Sequence, residues 1–85
     1  MRSVSFQQHA WDQFVAWQNQ NPKLAARLSR MISETRREPF TGLGKPEPLK
    51  HDLNGCWSRR INEEHRLIYV VNDAAIIIVS CHDHY

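Results

Sequence analysis

The chain has 85 residues, 41% hydrophobic and 24% charged, with a formal net charge of +2. These are globular values for one small domain: a second core would need roughly 50 more residues, and the composition excludes wholesale disorder. No apolar run approaches the roughly 20 residues of a membrane helix, and two cysteines, Cys56 and Cys81, are too few for a disulfide scaffold. No apolar segment follows Met1 to Phe6, so no signal peptide and a cytoplasmic location are expected.

Arg2 to Phe6 alternates polar and apolar residues, which predicts a short first strand. Ala10, Trp11, Phe14, Val15 and Trp17 then recur at helical spacing. Asn21-Pro22 predicts a fresh helix start: Asn caps free amides, and Pro fits the first helical position, where no N–H is needed. Leu24, Leu28, Met31, Ile32 and Thr35 form one stripe on this second helix, completing a helical hairpin. Pro39 stops it. The Gly- and Pro-rich segment Pro39 to Pro48 reads as an ordered loop. Leu53 to Asn62, Arg66 to Val71 and Ala75 to His82 then read as three strands. Their short connections force antiparallel neighbours. The expected class is α+β: a strand, a two-helix hairpin, then an antiparallel β-meander, with the helices on one sheet face and the other face open to a ligand.

Charge is uneven along the chain. Lys23, Arg27, Arg30, Arg36 and Arg37 face only Glu34 among acids in the second helix. Such a band attracts phosphate or an acidic partner, or is simply a solvated helix face.

A few residues could carry chemistry. Glu47 stands between Pro46 and Pro48, whose restricted backbones hold its carboxylate in one orientation, as a general base requires. The plain alternative is a glutamate in a polyproline-like turn. In a strand Ser58 and Arg60 share one face, as do Arg66, Ile68 and Val70 on the next. Arginines there either point to water, pair with Glu63 or Glu64, or grip phosphate. Cys81-His82-Asp83-His84-Tyr85 ends the chain. His82 and His84 with Cys81 or Cys56 would be a poor zinc set, because the two cysteines do not form a C-x-x-C pair. An imidazole and a phenol at the sheet edge instead suit a general acid with a stacking neighbour. One glutamate, one or two arginines and one histidine are what metal-free RNA cleavage needs: a base for the 2′-hydroxyl, a cation for the phosphorane and an acid for the leaving 5′-oxygen.

The stretches Gly42-Leu43-Gly44-Lys45-Pro46-Glu47-Pro48-Leu49-Lys50-His51, Trp57-Ser58-Arg59-Arg60-Ile61, Glu64-His65-Arg66-Leu67-Ile68-Tyr69 and the terminal His84-Tyr85 resemble the YoeB (Txe) branch of the RelE-like toxins. The resemblance extends over essentially the whole chain, including Trp11, Trp17 and Thr35-Arg36-Arg37. It implies a single toxin domain over 1–85 with a microbial-ribonuclease-like fold, from a bacterial type II toxin–antitoxin pair. Such a toxin is a metal-independent, ribosome-dependent endoribonuclease that cuts mRNA in the A site and needs no cofactor. Matched motif positions make Glu47 the general base, His84 the general acid and Arg66 the group at the scissile phosphate. Lys50, Arg60 and Tyr85 become supporting substrate groups. The implied partners are a YefM-like antitoxin, the ribosome with its A-site mRNA, a second copy in a homodimer, and operator DNA only through the antitoxin, with no membrane. Cys56 stands where the family usually has an aromatic residue, and His82-Asp83 where an arginine is common. Two other classes compete: a catalytically weak module that binds an antitoxin or acts as a transcriptional co-repressor, and a small zinc-binding domain.

Overall fold

The computed structural model describes residues 1–83. Strand β1 (Ser3–Phe6) leads into helix α1 (Gln8–Gln20) and helix α2 (Pro22–Arg37). A two-residue strand β2 (Glu47–Pro48) and a turn of 3-10 helix (His51–Leu53) precede β3 (Trp57–Arg60), β4 (Arg66–Val71) and β5 (Ala75–Ser80). The five strands form one sheet in the order β1-β5-β4-β3-β2. β2 to β5 pair antiparallel, the expected meander, while β1 joins parallel to β5, with Val4 opposite Ile76 and Phe6 opposite Ile78.

Both helices lie on one sheet face. The core joins Ala10 and Trp17 of α1 and Leu24, Ala25, Leu28, Met31 and Ile32 of α2 to Leu67, Tyr69, Ile76 and Ile78 of the sheet. α2 begins where its sequence says: Asn21 accepts from the Leu24 amide at 3.2 Å, with Pro22 next. Thr35 is buried without loss because its hydroxyl donates to the Met31 carbonyl at 2.7 Å. The α1 stripe is narrower than expected. Ala10, Phe14 and Trp17 face inward, while Trp11 and Val15 are exposed, and Trp11 packs edge-on against Phe6 at the rim.

The long strand expected over Leu53 to Asn62 is replaced by the 3-10 turn and the four-residue β3. His51 at φ 60 and Gly55 at φ 95 turn the chain in ways a strand does not allow. The expected loop conversely supplies β2, so Glu47 is a strand-edge residue opposite Ser58. β5 ends at Ser80 rather than His82. A register shift at Ile68/Tyr69 pairs Tyr69 with Ile78 but Ile68 with Ser80. Val79 is the extra residue of this bulge, and the change of phase turns Cys81 into the core. Asn62 closes the β3–β4 turn by accepting from the amides of Glu64 and His65. Asn72 closes the β4–β5 turn in the same way, from Ala74 and Ala75.

Candidate functional site: a cationic pocket on the open sheet face

Alternation along β3 and β4 sends side chains to opposite faces. Arg59, Leu67 and Tyr69 go to the helix side, and Ser58, Arg60, Arg66 and Ile68 to the other. Cross-strand pairing sets Arg60 opposite Arg66 and Ser58 between Glu47 and Ile68. The result is a pocket of about 130 Å³ lined by Glu47, Leu49, Ser58, Arg60, Arg66 and Ile68. Ser58 and Ile68 are buried in its floor, and Glu47 and Arg60 are exposed at its wall. Among the described residues neither arginine is in an ion pair. Arg66 is steadied through Nη1, which donates to the carbonyls of Asn62 (2.8 Å), His65 (3.2 Å) and Glu63 (3.3 Å). One corner of its guanidinium is thus held by the β3–β4 turn. A carboxylate and two unneutralised guanidinium groups around a small cavity can bind a phosphate and move a proton beside it.

Of the residues singled out in the sequence, Glu47, Arg60 and Arg66 therefore meet. Lys50 does not line the pocket; it is exposed on the connection after β2, at the start of the 3-10 turn. His84 and Tyr85 lie outside the described residues. The chain is followed to Asp83, whose carbonyl accepts from the backbone N–H of Arg66 at 2.8 Å.

Arg59 is fully buried, a role the sequence pattern only half reveals. Its Nε donates to the Tyr69 hydroxyl (3.1 Å) and Nη1 to Glu34 (3.1 Å) and the Leu43 carbonyl (3.0 Å). Its Nη2 donates to the carbonyls of Thr41 (2.9 Å) and Glu38. Tyr69 in turn donates to the Pro39 carbonyl at 2.7 Å. Burial pushes the Tyr69 phenol up, against the smaller opposing effects of the Arg59 hydrogen bond and charge, so it stays protonated as a donor. This clamp holds the loop that delivers Glu47. Gly44 completes the junction: at φ 82 its carbonyl accepts from the Arg60 amide at 2.7 Å, and a Cβ there would stand 2.8 Å from the Arg60 carbonyl oxygen. Alternation alone could have flagged Arg59 as inward; its partners, 10 to 25 residues away, could not be read.

Next to Arg66, His82 stacks on Trp17, Trp17 meets His65 edge-on, the two imidazoles pack at a tilt, and Asp83 meets both of them. Metal-ligating atoms of His65, His82 and Asp83 lie within 4.8 Å of one another. His65 Nδ1, however, already accepts from the Asp83 amide at 2.8 Å. A neutral ring then carries its proton on Nε2 and has no lone pair left for a metal. Cys81 is no better: burial pushes its thiol up to about 12, and Sγ lies 3.7 Å from the Ala10 carbonyl as a donor. The donor set does not fit zinc. Among the described residues no helix is long and apolar enough to cross a membrane.

Residues 6–85 match the family model described as the YoeB-like toxin of bacterial type II toxin-antitoxin system. Toxin YoeB of Escherichia coli K12 is 49% identical over 78 residues, covering 92% of this chain and 93% of that protein. The YoeB dimer from Staphylococcus aureus superposes with a TM-score of 0.91 at 38% identity, covering 99% and 98% of the two chains. The YoeB-YefM complex from the same organism gives 0.89 at 38% identity, covering 100% and 99%. With this fold, and with matches over nearly its whole length, the chain belongs to the YoeB-like toxins of bacterial type II toxin–antitoxin systems.

Proposed function

We propose that this toxin is a metal-independent endoribonuclease that cuts mRNA in the ribosomal A site and thereby stops translation. The observation that carries the proposal is the pocket itself, which sets Glu47 beside the Arg60–Arg66 pair with both cations unneutralised among the described residues. Glu47 takes the proton from a ribose 2′-hydroxyl, and that oxygen attacks the adjacent phosphorus. Arg66, with Arg60 beside it, stabilises the negative charge growing on the phosphorane. His84 gives its proton to the departing 5′-oxygen. The O2′–P bond forms as the P–O5′ bond breaks, leaving a 2′,3′-cyclic phosphate and a 5′-hydroxyl. Lys50 and Tyr85 are the supporting substrate contacts.

Pocket size argues for an external scaffold. At about 130 Å³ it can seat a phosphate, whereas sites that enclose a small molecule run to about 300–1,000 Å³. The nucleotide must be oriented by something else. The ribosome already holds the A-site codon, and in-line orientation can supply roughly 7–11 kcal/mol. A YefM-like antitoxin neutralises the toxin by folding an acidic segment on α2 and the adjacent sheet. The toxin works as a single domain in the cytoplasm, alone or as a homodimer, and meets operator DNA only through the antitoxin.

Induction in cells with and without a YefM-like antitoxin, with RNA ends mapped, tests the proposal. New 5′-hydroxyl ends should accumulate in translated messages, vanish with the antitoxin, and fall about 10²–10⁴-fold for Glu47→Ala, Arg66→Ala or His84→Gln. Toxicity that persists at full strength in Glu47→Ala, without new RNA ends, would overturn it.

A further inference from the structure

His65 is the most enclosed imidazole among the described residues. Trp17 meets it edge-on at 4.8 Å and the His82 ring lies at 4.7 Å. Its backbone is tied to the turn: its N–H donates to Asn62 Oδ1 at 2.7 Å and its carbonyl accepts from Arg66 Nη1 at 3.2 Å. Its ring does something else. Nδ1 accepts from the Asp83 amide at 2.8 Å, while the Asp83 carbonyl accepts from the Arg66 amide at 2.8 Å. Nδ1 therefore carries no proton, and the proton sits on Nε2, 3.7 Å from Glu64 Oε1. Asp83 is held at φ 62, a backbone conformation that side-chain-bearing residues seldom adopt. His82 stacks on Trp17 at 5.2 Å, with its Nδ1 3.1 Å from Asp83 Oδ2, and steadies the same segment.

We propose that His65 is a positioning residue: by accepting the Asp83 amide, its Nδ1 clips the chain leaving β5 to the backbone of Arg66 and so sets the point from which the terminal His84-Tyr85 pair departs. The inference rests on the ribonuclease reading, in which His84 is the acid and Arg66 meets the phosphate. It explains why an imidazole is buried at a turn where a phenyl ring would pack as well against Trp17. A phenyl ring has no lone pair to offer Asp83.

The test compares His65→Asn, whose Oδ1 replaces the Nδ1 acceptor, with His65→Phe, which keeps a ring but no acceptor. Single-turnover cleavage on programmed ribosomes and hydrogen exchange of the Asp83 amide are measured on the same proteins. His65→Phe should lower kcat about 10²-fold with KM unchanged, the scale expected of a small misplacement, and its Asp83 amide should exchange fast. His65→Asn should recover most of the rate and the protection. Should His65→Phe not fold, His65→Gln takes its place, since its amide reaches the Nε2 position instead. A wild-type rate with a protected Asp83 amide in the Phe variant would overturn the proposal. So would equal failure of Asn and Phe at equal stability. If the wild-type protein cuts no RNA, the ribonuclease reading falls, while the exchange of Asp83 still decides whether the clip exists.

Discussion

Arg59 and Arg66 sit on neighbouring strands but face opposite ways, and their surroundings divide their work. Arg59 is saturated by Glu34, Tyr69 and three loop carbonyls, so it is structural. Its removal takes the donor from the buried Tyr69 hydroxyl and from the part-buried Glu34 carboxylate and loop carbonyls at once. Arg59→Met should cost about 3–5 kcal/mol in denaturant unfolding, the scale for breaking a buried pair; a loss below about 1 kcal/mol would show the clamp to be dispensable. Arg66 is half-buried and its side chain is anchored through Nη1, which fits the proposed role of gripping a transient anion. Cys81 makes a separate prediction. Its thiol, pushed up to about 12 by burial from an ordinary 9.0, holds its proton more tightly folded than unfolded. Stability is therefore complete below about pH 9 and lost progressively towards about pH 12, and the raised Tyr69 phenol acts in the same direction. Unfolding measured at about pH 8 and about pH 10.5 should show a smaller alkaline loss in Cys81→Ala than in the wild type. Iodoacetamide at neutral pH should modify half-buried Cys56 well before Cys81.

At the scale of elements, α2 combines a legible start with a basic band of mixed purpose. The Asn21 cap makes Asn21→Ala cost about 1 kcal/mol in thermal or denaturant unfolding. In the band, Arg27 Nε donates to the Ile61 carbonyl at 2.5 Å and Arg36 Nε to the Arg2 carbonyl at 2.6 Å. These two are tied to the fold. Lys23, Arg30 and Arg37 are exposed and carry the charge an acidic antitoxin segment would meet. Charge reversal at those three should weaken antitoxin binding and flatten its salt dependence. An unchanged affinity and salt slope would show the band to be merely solvated. The same contrast marks what local pattern can reveal. The limits of β4 follow from an unbroken apolar run, Leu67 to Val71, between two asparagine turns, and those of α2 from its cap and stripe. Hydropathy overextends β3 because the turn through His51 and Gly55 depends on backbone signs that it does not encode. Trp11 and Val15 fit a helical stripe but fall outside the width that the sheet can cover.

Over the whole molecule, one sheet face is closed by the helices and the other carries the pocket, so each of Trp57–Arg60 and Arg66–Val71 supplies core and site in alternate residues. Glu47 and the Arg60–Arg66 face were visible in the sequence because rigid prolines and strand parity are local properties. The Arg59 clamp and the His65–Asp83 bond were not, since they join residues 25 and 18 positions apart through tertiary packing. The division of faces also shapes the proposed chemistry. In the proposed reaction the shallow cationic pocket stabilises a phosphorane without aligning a flexible RNA strand around it, and the ribosome would supply that orientation. The most direct measurement takes one message, free in solution and in the A site of a programmed ribosome, and compares single-turnover cleavage at matched toxin concentration. Cleavage should be far faster on the ribosome and be lost there in Glu47→Ala; equal rates on both substrates, or full ribosomal cleavage by Glu47→Ala, would contradict a ribosome-oriented reaction driven by this pocket.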